Sequence, residues 1–82
     1  MKKNIAILGS TGSIGTQALE VIRKHRDLFG VEVLTANRNA TLLVEQAMVF
    51  VPSCVVIADE SQYTYVRDAL AHLPITVMAG MK

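Results

Sequence analysis

One cysteine, two prolines, no tryptophan and only 5 % aromatic residues exclude several classes of protein at once for this 82-residue chain. A lone Cys54 cannot close an internal disulfide, and without a CxxC pair or a Cys/His cluster there is no zinc framework. That usage fits a reducing compartment. Charge of one sign is also lacking. Eight Lys and Arg against seven Asp and Glu give a formal net charge of +1, which excludes a charged disordered tail and supplies no field to gather nucleic acid. Long apolar runs are missing too. Behind the basic Met1-Lys2-Lys3, which looks like the start of a signal peptide, the apolar stretch lasts only from Ile5 to Leu8. A membrane span needs about 20 such residues. Neither export nor membrane insertion is indicated, and a cytoplasmic location is expected.

What is present is hydrophobic: 51 % of the residues. A domain this small still buries only about 60 to 65 % of the surface of its unfolded chain, so its stability is marginal unless something else covers it. Short apolar runs rich in β-branched residues recur at Asn4–Leu8, Val31–Ala36, Cys54–Ala58 and Ile75–Ala79, each of strand length. Helical spacing fills the intervals. The first helix is expected to bury Ile14, Ala18, Val21, Ile22 and His25 and to stop at Gly30, with Arg23-Lys24-His25-Arg26 as a solvated basic end. The second is expected to start with Thr41 as N-cap, to bury Leu42, Leu43, Ala47 and Phe50, and to end before Pro52. Asp59 and Gln62 have the spacing of a capping box, which predicts a third helix running through Tyr65, Val66, Ala69 and Leu70 towards Pro74. The order is β-α-β-α-β-α-β. Such an order predicts a parallel α/β sheet with right-handed crossovers, and strands this uniformly apolar predict helices over both of its faces.

Gly9, Gly12 and Gly15 fall between the first strand and the first helix, the context in which a dinucleotide fingerprint works. Without a Cβ at Gly12 the backbone can approach a pyrophosphate, and Gly15 lets the helix lie close to the sheet. The N–H groups from Gly12 through Ile14 then face the phosphate oxygens. The spacing is GxxGxxG, with Ser10 where the commoner GxGxxG form has a glycine. The hydroxyls of Ser10, Thr11 and Ser13 either add donors to that site or serve the helix cap and the loop backbone. About 20 residues further on, NAD sites usually place a carboxylate for the ribose 2′-hydroxyl. Here the chain reads Thr35-Ala36-Asn37-Arg38-Asn39, with no carboxylate to repel a 2′-phosphate and a guanidinium able to pair with one. NADP is favoured over NAD.

The segment Ile7-Leu8-Gly9-Ser10-Thr11-Gly12-Ser13-Ile14-Gly15, followed by Thr35-Ala36-Asn37-Arg38-Asn39 and Glu45-Gln46, resembles the N-terminal part of the 1-deoxy-D-xylulose 5-phosphate reductoisomerase family. The resemblance spans the whole chain. It implies a Rossmann-like fold in which these residues form the first, incomplete part of an NADP-binding domain, the catalytic and C-terminal domains being absent from this chain. By the same resemblance Thr11, Gly12, Ser13 and Ile14 hold the NADPH pyrophosphate and adjoining ribose, and Asn37, Arg38 and Asn39 form the 2′-phosphate pocket. Many family members carry Gly and Lys where this chain has Asn37 and Arg38; the arginine keeps the charge and adds bidentate geometry.

Family enzymes rearrange a sugar phosphate on a divalent metal (Mg or Mn) and reduce the aldehyde intermediate with NADPH to 2-C-methyl-D-erythritol 4-phosphate, an isoprenoid precursor. Their metal carboxylates and substrate-site His and Lys lie beyond residue 82, so the resemblance implies an active homodimeric parent and an inactive piece. No catalytic or metal-ligating residue is assigned here: Glu45, Asp59, Glu60 and Asp68 read as capping or solvated, and His25 and His72 as helix-end residues. Cys54, Met48 and Met78 read as core, and Tyr63 and Tyr65 as unable to share a helix face. A chain ending at Ala79-Gly80 would leave an unpaired sheet edge. Two other classes begin in the same way: a short-chain or aspartate-semialdehyde-type dehydrogenase, and a non-catalytic nucleotide-binding module.

Overall fold

A computed structural model describes residues 3–80. The chain alternates β1 (Lys3–Ile7), α1 (Ser13–Lys24), β2 (Phe29–Ala36), α2 (Ala40–Phe50), β3 (Cys54–Ile57), α3 (Tyr63–Ala69) and β4 (Thr76–Ala79), with a 3₁₀ turn over Glu60–Gln62 leading into α3. All pairings are parallel, in the order β1-β2-β3-β4. The expected α/β order and Rossmann-like parallel sheet are therefore what the chain adopts.

The strand order corrects one expectation. Each crossover steps in the same direction across the sheet, so right-handed connections place α1, α2 and α3 on one face and not on both. The register fixes which side chains they cover. Ile7, Leu34, Val55 and Val77 form one row across the strands, with Ala36, Ile57 and Ala79 two residues on. These pack with Leu19, Ile22, Leu43, Val44, Ala47, Val66 and Leu70 from the three helices in a single cluster. The intervening rows, Ala6-Val33-Cys54 and Thr35-Val56-Met78, point to the other face. There Met78 is 53 % exposed and Cys54 half-buried, so neither is the core residue expected of it. Among the described strands β1 and β4 form the two edges.

The helices differ from expectation in rotation and in their ends. α1 buries Gly15, Leu19 and Ile22, while Ile14 and Val21 are 81 % and 55 % exposed and His25 lies in solvent. It ends at Lys24 because His25 turns the chain, its carbonyl accepting from the amides of Leu28 and Phe29, and Gly30 is already inside β2. α2 begins at Ala40 with Asn39 as its N-cap, Oδ1 accepting from the Leu42 amide at 3.2 Å, so Thr41 is not the cap. Its core side carries Ala40, Leu43, Val44, Gln46 and Ala47; Met48 is exposed. Val51 then enters the left-handed region (φ 46°) and Pro52 has no N–H to prolong the helix. Asp59 caps the 3₁₀ turn, its Oδ1 accepting from the Ser61 amide, and not α3, whose N-cap Gln62 makes no side-chain bond; Tyr65 faces solvent while Tyr63 packs on the core. The basic Met1-Lys2 start lies outside the described residues.

Candidate functional site

The carboxyl ends of four parallel strands share one edge of the sheet, and the bend after β1 lies there beside the end of β2. Gly9 takes φ +71°, a conformation that side chains rarely adopt, and its carbonyl accepts from the Gly12 amide at 3.0 Å to close a four-residue turn. Two neighbours hold this turn. From β2, the Thr35 hydroxyl oxygen accepts from the Gly9 amide at 2.8 Å and the Thr35 carbonyl from the Ser10 amide at 2.7 Å. From α2, Gln46 Nε2 donates to the Ser10 carbonyl at 2.8 Å. Helix α1 packs directly on the same turn: a Cβ at Gly15 would lie 2.7 Å from Ser10 Cα and closer still to the Gly9 carbonyl oxygen. The expected close approach at Gly15 is therefore present, and it explains why α1 is rotated away from the Ile14-Val21 face.

α1 presents an open N-terminus at this point. Its N-cap is Gly12, no side chain caps it, and no acidic residue lies in its first turn. The first upstream bond is from the Thr16 amide to the Gly12 carbonyl at 2.9 Å, so the amides of Ser13 and Ile14 precede any helical acceptor. The helix dipole adds partial positive charge at the same place. The Gly12 amide, expected among the free donors, is spent on the Gly9 carbonyl, so the open amides here are those of Ser13 and Ile14, next to Thr11 and Gly12; Gly12 to Ile14 are exposed. Ser10 departs from expectation: it is fully buried, its hydroxyl has no partner, and it cannot reach a ligand in front of the turn.

Asn37, Arg38 and Asn39 follow β2 and are all exposed. Their backbone is tied down: the Asn37 carbonyl accepts from the Asp59 amide at 2.9 Å, and the Arg38 carbonyl from the Ala40 amide at 2.8 Å. The described ion pairs join Arg23 to Glu20 and Arg67 to Asp68, leaving the Arg38 guanidinium to solvent. Asn39 has one oxygen committed to the helix cap, so its Nδ2 is the group left for a ligand. Spacing along the chain does not place Asp59 here. The loop after β3 brings it to Asn37, and the hydroxyl and amide of Ser61 hold its carboxyl below the usual carboxylate range, with Arg38 adding a smaller pull. Thr35 and Gln46 are further parts of the site that residue type and spacing do not indicate; Gln46 is 8 % exposed in a helix whose other buried residues are apolar.

Among the described residues no group of three His, Cys, Asp or Glu could hold a metal ion, and no helix is long and apolar enough to cross a membrane. A shallow cleft between α1 and α2, lined by Thr16, Leu19, Glu20, Arg23, Gln46 and Phe50, contains none of the residues expected to bind cofactor.

A parallel sheet whose first crossover opens on a tightly anchored glycine turn defines the Rossmann-like class of α/β domains. Comparison with known proteins narrows the class. The family profile described as 1-deoxy-D-xylulose 5-phosphate reductoisomerase matches residues 5–82, and the chain belongs to that family. Curated relatives of that name include one from Phocaeicola vulgatus, 61 % identical over 80 residues, and one from Porphyromonas gingivalis, 58 % identical over 80; each alignment takes in 98 % of this chain and 21 % of the relative. The chain thus spans about a fifth of the length of these relatives. Among solved structures, the Zymomonas mobilis reductoisomerase in complex with NADPH superimposes with a TM-score of 0.93 at 38 % identity, covering 98 % of this chain and 21 % of that one. A reductoisomerase in complex with NADPH, fosmidomycin and magnesium gives 0.88 at 30 % identity, covering 95 % and 19 %.

Proposed function

We propose that this chain is the NADPH-binding portion of a reductoisomerase that converts 1-deoxy-D-xylulose 5-phosphate to 2-C-methyl-D-erythritol 4-phosphate. The observation that carries the reading is the uncapped N-terminus of α1, with Gly12 as its N-cap and no acidic residue in its first turn, an anion site in both geometry and charge. In this reading Thr11, Gly12, Ser13 and Ile14 hold the pyrophosphate and adjoining ribose. Asn37, Arg38 and Asn39 receive the 2′-phosphate, with the Arg38 guanidinium as the pairing cation and Asn39 Nδ2 as a neutral donor. Bound NADPH supplies the hydride for the reduction. Support comes from the family match and from the similarity to a reductoisomerase structure that holds NADPH.

The same reading makes residues 1–82 the N-terminal part of the NADP-binding domain. The groups that hold a divalent metal (Mg or Mn) and the sugar phosphate substrate belong to the remainder of the longer protein, and the piece alone binds cofactor without turning over substrate. Related structures that contain magnesium and fosmidomycin support a metal and a small-molecule substrate. The full-length protein is proposed to be a cytoplasmic homodimer that engages neither nucleic acid nor membrane. The test is oxidation of NADPH by the full-length protein, followed at 340 nm with 1-deoxy-D-xylulose 5-phosphate and magnesium. Substrate- and metal-dependent turnover that strongly prefers NADPH to NADH is expected. Reduction of a different carbonyl substrate without metal, or no turnover at all, would replace this reading with the dehydrogenase or the non-catalytic alternative.

A further inference from the structure

The turn's bareness explains how an anion can reach it, but not why its peptides point the right way. The Gly12 amide closes the turn on the Gly9 carbonyl, a bond that is kept whichever way the central peptide faces. One peptide in it, Ser10–Thr11, has its carbonyl fixed by a side chain: Gln46 Nε2 donates to the Ser10 oxygen at 2.8 Å, in a buried contact between residues 36 apart in the chain. The described peptides are trans, so the C=O and N–H of one peptide plane point in opposite directions. A Ser10 carbonyl directed inward to Gln46 therefore directs the Thr11 N–H outward, to the side where the α1 amides stand open.

We infer that Gln46 is a positioning residue for cofactor binding: its buried carboxamide locks the Ser10–Thr11 peptide so that the turn offers an anion a donor and not a carbonyl oxygen. This rests on the dinucleotide reading of the turn. Burial makes the lock strict. Ser10 is fully buried and Gln46 nearly so, and Gln46 Oε1 and Ser10 Oγ have no hydrogen-bond partner of their own. Removing the carboxamide takes Oε1 away with the Nε2 donor but leaves the Ser10 carbonyl oxygen buried and unpaired beside Ser10 Oγ, and rotation of the peptide towards solvent would relieve it. The rotated peptide sets a carbonyl dipole against the phosphate. Among the described residues nothing else holds the Ser10 carbonyl, because the other anchors, the two Thr35 bonds to the amides of Gly9 and Ser10 and the Gly12 amide on the Gly9 carbonyl, leave it free.

The test is Gln46→Met in the full-length protein, which keeps side-chain length and volume but removes the donor. NADPH dissociation constants are read by nicotinamide fluorescence, and those of 2′-AMP, which carries the 2′-phosphate but no pyrophosphate, by competition. About tenfold weaker NADPH binding with 2′-AMP affinity unchanged is expected, as is a raised KM for NADPH at constant kcat. Equal loss for both ligands, or no loss for either, overturns the inference. Should the variant not fold, a crystal structure of the unaltered protein with NADPH decides: Gln46 on the Ser10 carbonyl with the Thr11 amide on a phosphate oxygen supports the lock, and a Ser10 carbonyl turned to solvent refutes it. Failure of the unaltered protein to bind NADPH would instead sink the dinucleotide reading itself.

Discussion

Replacing Gly15 by alanine tests the packing that shapes the site. In an ordinary helix the change helps, since alanine is favoured over glycine by about 1 kcal/mol. Here the added Cβ would meet Ser10 Cα at 2.7 Å and Gly9 C at 3.0 Å, besides a closer approach to the Gly9 oxygen. All three are backbone atoms, and none can step aside by changing rotamer. Overpacking of this kind costs about 1 to 3 kcal/mol, and backbone obstacles place the cost at the upper end. Net destabilisation is then about 2 kcal/mol, roughly a thirtyfold shift in the folding equilibrium. Urea unfolding followed by circular dichroism measures it, with NADPH titration alongside, because lifting α1 off the turn also moves the amides of Ser13 and Ile14. Gly12→Ala is the contrast: its Cβ would make only ordinary contact, 3.4 Å from the Gly9 oxygen, at φ −82°. That variant should fold with stability within about 0.5 kcal/mol of the parent yet lose cofactor, because the methyl group stands on the approach to the helix N-terminus. If Gly15→Ala stabilises the protein and leaves NADPH affinity unchanged, the close approach of α1 to the turn is not what organises the site.

Other substitutions probe the end of β2. Arg38→Ala should weaken NADPH by about 2 kcal/mol, near thirtyfold, while NADH changes little; equal losses in a fluorescence titration would remove Arg38 from its assigned role. Asn39→Asp should keep the α2 cap, and so the stability to within about 0.5 kcal/mol, while lowering the preference for NADPH over NADH, because a carboxylate then stands beside the 2′-phosphate. An unchanged cofactor ratio would place the phosphate elsewhere. Burial, with the Glu32 carboxylate as a smaller influence, pushes the Cys54 thiol pKa up. A thiol pKa raised by folding stabilises the fold fully below the unfolded value, about 8.5, and that contribution fades as pH climbs through the folded value. Iodoacetamide labelling of Cys54 followed by mass spectrometry should therefore be slow at pH 7 and rise only in clearly alkaline buffer; rapid labelling at pH 7 would contradict it.

Local signals made the element order legible, because β-branched runs of strand length alternate with helical spacing and each helix has a chemical boundary. The glycine turn was legible for the same reason: Gly9, Gly12 and Gly15 sit where a strand hands over to a helix. Strand order was not. Whether β3 pairs beside β2 or beyond β1 depends on contacts between distant segments, and apolar runs alone led to helices on both faces when the order β1-β2-β3-β4 puts them on one. Helix rotation failed in a related way. Ile14 and Val21 are more hydrophobic than Gly15, but the helix turns its smallest residue to the sheet because only there can it touch the turn. In the site itself, Arg38 and the first-turn amides could be read from type and spacing. Thr35, Gln46 and Asp59 could not, since each reaches the site through the fold: one along β2, one across from α2, one from the loop after β3.

Backbone amide NMR of the ¹⁵N-labelled protein during titration with NADPH tests the diphosphate site most directly. The largest shifts should fall on the amides of Thr11, Gly12, Ser13 and Ile14, with a second group at Asn37, Arg38 and Asn39 that NADH does not reproduce. Saturable binding that leaves the Thr11 to Ile14 amides unmoved would show that the cofactor lies elsewhere and that the open end of α1 is not its anion site.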